Sequence, residues 1–306
     1  MNYQHAFHAG NFADVHKHAV LARILLWLRQ KPAAFRVIDS HAGAGRYDLL
    51  AAEPARSGEW RDGIGRLWQE LGQERRQEQN RHWPLLAPYL APYLAPYIEA
   101  VVARNPDGNL RTYPGSPLIA AHLLRPQDRL IACEIEPRSA AHLAAALRGD
   151  RRAKVLAIDG WTAIGAFVPP KERRGLVLVD PPFEDAADFM RLPATLAAAH
   201  RKWPTGIYML WYPIKGREAS EALARRLQRL KIARILRCEL TAGPPRAQRA
   251  LAGSGVIVVN PPFTLEPDLR ILIPALAGIL APASEPGQRP QAPAGAARID
   301  WLSPNA

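Results

Sequence analysis

The sequence predicts an α/β fold: a doubly wound, mostly parallel sheet in the strand order 3-2-1-4-5-7-6, with a small, mainly helical insertion. Three observations carry this expectation. Short runs of branched apolar residues alternate with helix-length stretches, the pattern of strand–helix units. The first run, Phe35 to Asp39, leads directly into a glycine turn, Ser40-His41-Ala42-Gly43-Ala44-Gly45-Arg46. Three later runs end on acids at their carboxyl tips, at Glu134, Asp159 and Asp180.

Composition narrows the class. A chain of 306 residues with 48% hydrophobic content can bury a full core as one large domain or one domain with an insertion. Its two cysteines, Cys133 and Cys238, exclude a disulfide framework, and neither has a partner at metal-ligand spacing, so no metal is expected. The amino-terminal run has no basic lead into an apolar core and does not read as a secretory signal. The longest apolar run, 271–283, contains two prolines and is too short to span a bilayer. A cytoplasmic location is the expectation. The formal net charge of +12 is carried mostly by arginine, 33 of the 40 basic residues, and points to a polyanionic partner such as nucleic acid.

From Asn11 onward, Val15, Ala19, Ala22, Leu25 and Leu26 fall on one helical face, with Asn11 as the N-cap. His16 and His18 are too close in sequence to share a face of that helix, which argues against a metal site. The glycines after the first strand, Gly43 among them, allow a tight turn and a close approach of backbone to a ligand. The third glycine of the dinucleotide pattern is missing. The turn resembles the first loop of S-adenosylmethionine enzymes, with His41 replacing a glycine.

Residues 53–111 break the alternation and read as an inserted subdomain between residues 1–52 and 112–283. Within them Ala-Pro-Tyr-Leu, Ala-Pro-Tyr-Leu and Ala-Pro-Tyr-Ile follow one another from Ala87. A proline at every fourth position opposes a regular helix. The tyrosines suit internal packing or stacking on bases. From Tyr113 the rhythm resumes, with a helix from Ser116 and strands ending at Cys133 and Ile158. Glu134, at the tip of the second strand, suits a ribose diol, and Asp159, before Gly160 at the third, suits an adenine amine. A single such acid is more often a helix N-cap. Residues 284–306, rich in Pro, Gly and Ala, read as a disordered tail.

The fourth strand, Leu176 to Val179, runs into Asp180-Pro181-Pro182-Phe183. Asp180 offers a carboxylate acceptor, Pro181 a carbonyl at fixed φ, and Phe183 a ring for stacking. Two acceptors on an exocyclic amine draw its lone pair out of conjugation and prepare it to attack a methyl group. Asn260-Pro261-Pro262-Phe263 repeats the pattern after another strand. Counting strands assigns the site to Asp180, beside strand one at the switch point, and a structural role to Asn260 at the opposite edge.

Together HAFHAGNFADVHKH, DSHAGAGRYDL, YPGSPLIA, CEIEP, LVDPPF, GIYMLWYP and SGVIVVNPPF resemble the bacterial 23S ribosomal RNA adenine-N6-methyltransferases of the J type, over about residues 1 to 282. The resemblance implies a Rossmann-like class I methyltransferase fold and S-adenosylmethionine as cofactor. It implies methylation of adenine 2030 of 23S rRNA; because a base unstacks most easily before the RNA is packed into a subunit, protein-free or early-assembling RNA is the expected substrate. It also implies Asp180 as the catalytic residue and cofactor contacts from Lys17, His18, His41, Gly43, Ser116, Glu134, Asp159, Gly160 and Asp180 itself. Tyr3 and His5 are then expected near the incoming adenosine, in a segment that orders over the site when RNA arrives.

Overall fold

The computed structural model describes residues 5–75, 87–185, 187–242, 251–281 and 295–303. The strands are β1 (Arg36–Asp39), β2 (Arg46–Asp48), β3 (Thr112–Pro114), β4 (Arg129–Cys133), β5 (Ala153–Leu156), β6 (Gly175–Val179), β7 (Ile207–Ile214), β8 (Ile235–Thr241), β9 (Gly253–Val259) and β10 (Ala296–Ser303). Among them run α1 (Phe12–Arg29), α2 (Ala52–Ser57), α3 (Ile64–Arg75), α4 (Ala87–Val102), α5 (Ser116–Leu123), α6 (Pro137–Ala146), α7 (Gly160–Phe167), α8 (Asp188–Lys202), α9 (Arg217–Arg229) and α10 (Leu265–Leu280).

Eight strands form one sheet in the order β10-β8-β9-β7-β6-β1-β4-β5. Without β10 this is the expected order 3-2-1-4-5-7-6. The block from β5 to β7 is parallel, while β9 runs antiparallel to both β7 and β8. β1 lies between β4 and β6, so chain connections leave it in opposite directions and open a crevice at its carboxyl end. Helices cover both faces, which is why Gly175–Val179 is buried at every position and reads as an unbroken apolar run. Side chains of α1, α4, α5, α6 and α10 fill one core, and those of α7, α8 and α9 the other.

α1 starts where expected: the Asn11 side-chain oxygen accepts from the backbone of Ala13 and Asp14. Its burial extends well beyond one face, because β9, α4, α5 and α10 all pack against it. The preceding residues are also held. Gly10 accepts from Ile64 N at 2.8 Å, and Glu59 bonds both His8 (2.9 Å) and Asn11 (3.0 Å). The expectation that this segment orders only with RNA is therefore corrected for residues 5–11; Tyr3 lies outside the described residues.

Two further expectations are corrected. The proline repeat does form a helix, α4, with Pro92 and Pro96 inside it. Pro96 has no N–H for the Pro92 carbonyl, and the Arg23 guanidinium donates to that oxygen instead, at 2.9 Å. Arg23 is itself fixed by Asp268 at 2.6 Å and lies over the Tyr93 ring. Burial of Leu90, Leu94, Tyr97, Ile98 and Val101 adds the tertiary packing that overrides propensity. The second correction concerns the tail: residues 296–303 are a strand that pairs with β8. Arg237, 2% exposed, grips Asp300 through two nitrogens at 2.8 and 2.7 Å. Residues 282–294 and 304–306 lie outside the described set.

Candidate active site

The parallel block brings the singled-out acids to one edge. Asp39, Glu134, Asp159 and Asp180 follow or end β1, β4, β5 and β6, whose carboxyl ends point the same way. Lys17 reaches Asp180 from the second turn of α1. Its Nζ lies 2.5 Å from Asp180 Oδ2 and 2.8 Å from Asp14 Oδ1. Asp14 also binds His5 Nε2 at 3.2 Å and Gly10 N at 2.9 Å. Burial opposes charge on both Asp14 and Lys17, but the pair and its neighbours prevail. The Asp14 carboxyl is held well below the usual carboxylate range, and the Lys17 ammonium above its ordinary value. Asp180 keeps 13% of its side chain exposed. It is thus a carboxylate whose inner oxygen already holds an N–H donor.

Around the glycine turn, Gly43 adopts φ +62 and its N–H donates to Glu134 Oε2 at 2.9 Å. A side chain there would run into the Tyr47 hydroxyl. Glu134 Oε1 accepts from Glu136 N at 2.7 Å, so the carboxylate clamps the turn. Asp159 caps α7 through one oxygen, accepting from Thr162 N and Thr162 Oγ1 at 2.8 Å; its other oxygen takes no hydrogen bond among the described residues. Gly160 lies so close to the turn that a Cβ would meet the His41 ring at 2.7 Å. His41, bonded to Ser40 Oγ at 2.8 Å, is pushed down to about 4 by burial. Ser116 donates to Asp39 Oδ2 at 2.7 Å. Burial lifts the Asp39 carboxyl to about 7 despite that bond, helped by the nearby Asp180 charge.

Phe183 differs from expectation. At φ 51 the loop turns its ring inward, where Phe189 and Trp211 pack on it with centroids 4.7 and 5.8 Å away, leaving 7% exposed. It presents no free face. Trp211 follows the pairing of Val179 with Leu210 by one residue and is only half-buried, with Lys17 Nζ 5.9 Å from its ring centre. Trp211 Nε1 is fixed by Ser254 Oγ at 2.9 Å, which also bonds His16. Asn260 instead donates to the carbonyls of Pro204 and Gly206 below β7, at 2.7 and 2.8 Å.

Sequence reasoning missed Asp14, Asp39 and Trp211. An acid and a lysine three apart near the start of the first helix, an acid ending the first strand, and a tryptophan inside the apolar run 207–214 were the available signals. Among the described residues no group of three or more His, Cys, Asp or Glu could hold a metal ion, and no helix is long and apolar enough to cross a membrane.

A mostly parallel sheet with a switch-point crevice, a glycine turn after its first strand and acids at successive strand tips defines a class I methyltransferase that uses S-adenosylmethionine. The site fits that cofactor: His18 Nε2 and Asp39 Oδ1 are buried polar atoms with no hydrogen-bond partner among the described residues, a donor-or-acceptor and an acceptor for a zwitterionic methionyl end. The family model described as "Ribosomal RNA large subunit methyltransferase D, RlmJ" matches residues 32–292, and the chain belongs to that family. It is 38% identical over 304 residues to "Ribosomal RNA large subunit methyltransferase J" of Escherichia coli, covering 99% of both chains. It is 36% identical to the protein of the same name from Haemophilus influenzae, again covering 99% of each. A solved structure of a Legionella pneumophila protein, LPL1258, superposes with a TM-score of 0.79 at 29% identity, over 96% of this chain and 98% of that one. The chain is a ribosomal RNA methyltransferase.

Proposed function

We propose that the protein methylates the exocyclic N6 amine of one adenine in 23S rRNA, adenine 2030 by the family resemblance, on protein-free or early-assembling RNA in the cytoplasm. The observation that carries this reading is the Asp180 carboxylate at the switch point, with an N–H donor 2.5 Å from Oδ2. An adenine amine brings the same kind of donor. Asp180 and the Pro181 carbonyl accept hydrogen bonds from its two N–H groups, which frees the nitrogen lone pair from the ring. S-adenosylmethionine supplies an electrophilic methyl group when bound. Asp14 holds Lys17 against Asp180 and also binds His5, which with Tyr3 is the expected contact for the incoming adenosine.

Glu134 receives the ribose diol of the cofactor with its remaining lone pairs, and the open oxygen of Asp159 receives the adenine amine beside Gly160. His41, Gly43, Ser116 and His18 line the rest of the cofactor crevice. A flipped base needs a ring face and a shield from water. Trp211 supplies the face that Phe183 does not, and Phe183 buttresses it from beneath. Mass spectrometry of rRNA nucleosides from cells with and without the gene tests the reading. Loss of one N6-methyladenine from 23S rRNA is expected; an unchanged nucleoside profile contradicts it.

A further inference from the structure

The Ala-Pro-Tyr repeat has no part in the chemistry above, yet its third tyrosine connects to a cofactor-crevice residue. Tyr97 Oη lies 3.0 Å from Tyr113 Oη, and Tyr113 Oη lies 2.7 Å from His18 Nδ1. All three residues are at most 1% exposed. The Tyr113 and His18 rings stack at 5.7 Å with 30° between their planes. Beyond them His18 Nε2 is buried with no hydrogen-bond partner among the described residues.

The protons on this chain run one way or the other along it, because two donors converging on Tyr113 would leave that hydroxyl's own proton without an acceptor among the described residues. If His18 carried its proton on Nδ1, it would donate to Tyr113, and Tyr113 would donate to Tyr97. The Tyr97 proton would then have no acceptor among the described residues, and Nε2 would be a bare lone pair in the core. In the opposite sense, Tyr97 donates to Tyr113 and Tyr113 donates to Nδ1, so both hydroxyl protons are used. One group is left over, Nε2–H. A buried donor calls for an acceptor.

We infer that Tyr97 and Tyr113 are positioning residues that fix His18 as the Nε2–H tautomer and aim that donor at the carboxylate on the methionyl end of the cofactor. The inference rests on the reading of His18 as a cofactor contact. The repeat thereby gains a role in the site, since the buried face of α4 carries Tyr97 into the core and delivers its hydroxyl to the relay.

Nitrogen NMR of the full chain with labelled histidines reads the tautomer directly, with the His18 signals identified by their loss in His18→Gln. Protonated Nε2 and bare Nδ1 are expected in the wild type, and a mixture in Tyr113→Phe. Calorimetry with S-adenosylhomocysteine, which has the carboxylate, and with adenosine, which lacks it, reads the aim. Tyr113→Phe should weaken S-adenosylhomocysteine about three- to tenfold and Tyr97→Phe about twofold, with adenosine binding unchanged in both. An Nδ1–H tautomer in the wild type, or equal weakening of both ligands, overturns the relay. Unaltered S-adenosylhomocysteine affinity in His18→Gln would instead defeat the reading of His18 itself. Tyr97→Phe keeps the test decisive should Tyr113→Phe not fold.

Discussion

Asp180 and Asn260 head almost identical tetrapeptides, but the antiparallel run of β9 sends them to opposite edges of the sheet. Asp180→Ala should lower the methyl-transfer rate on the order of a hundredfold or more, with cofactor affinity kept, because it removes an acceptor aimed at the reacting amine. Asn260→Ala removes two hydrogen bonds beside β7 and should cost roughly 1 to 3 kcal/mol of stability while most activity remains. Equal losses of rate in the two variants would contradict the assignment of the site. Glu134→Ala should weaken S-adenosylmethionine by roughly 1 to 3 kcal/mol, since ribose hydroxyls lose their acceptor and the glycine turn loses its clamp; unchanged affinity by calorimetry would refute that role. Asp180, Glu134 and Asp159 were legible in the sequence because each ends a strand run, and strand ends are visible as pattern. Tyr113 and Trp211 were not. Their partners are 95 and 43 residues away, and a contact across that distance leaves no local signal.

Among the elements, α4 and β10 depart most from what local chemistry dictates. Proline spacing argued against a helix at α4, and Arg23, supplied by α1, satisfies the carbonyl that Pro96 leaves open. β10 hides behind a Pro- and Gly-rich lead, so composition masked a short strand that closes the edge of β8. The Arg237–Asp300 pair fixes it, and Trp301 Nε1 donates to Glu266 on α10 at 3.0 Å. Removing residues 295–306 should therefore lower stability by roughly 2 kcal/mol or more, because it leaves a nearly buried guanidinium short of a partner. It should also promote association through the bared strand. Denaturant unfolding and light scattering measure both effects, and a truncated chain as stable and monodisperse as the full one would contradict this role.

For the whole molecule, buried titratable groups set the response to pH. Burial pushes His16 and His18 down to about 3 and His41 to about 4 from an ordinary 6.5. The unfolded chain takes up these protons below 6.5 while the folded chain does not, so their stability is present above 6.5 and lost on acidification. Asp39, raised to about 7, acts in the opposite sense: its stability is present below 3.8 and lost as the pH rises through 7. Three imidazoles against one carboxyl give a net loss of stability as the pH falls from 6.5 towards 4. A denaturation midpoint that rises over that interval would contradict the balance. The net charge of +12 acts at the same scale, steering the protein to RNA through contacts that added salt weakens. The fold itself was legible because seven strands alternate with helices in the order the sheet adopts. One adenine N6 of 23S rRNA is the proposed acceptor, and unstacking that base is easiest in RNA not yet packed into a subunit. The direct measurement supplies labelled S-adenosylmethionine with protein-free 23S rRNA, assembled subunits and duplex DNA in parallel, then digests each to nucleosides. Label in N6-methyladenine, highest from protein-free 23S rRNA, is the predicted result; label in cytosine, or greatest transfer to duplex DNA, would contradict it.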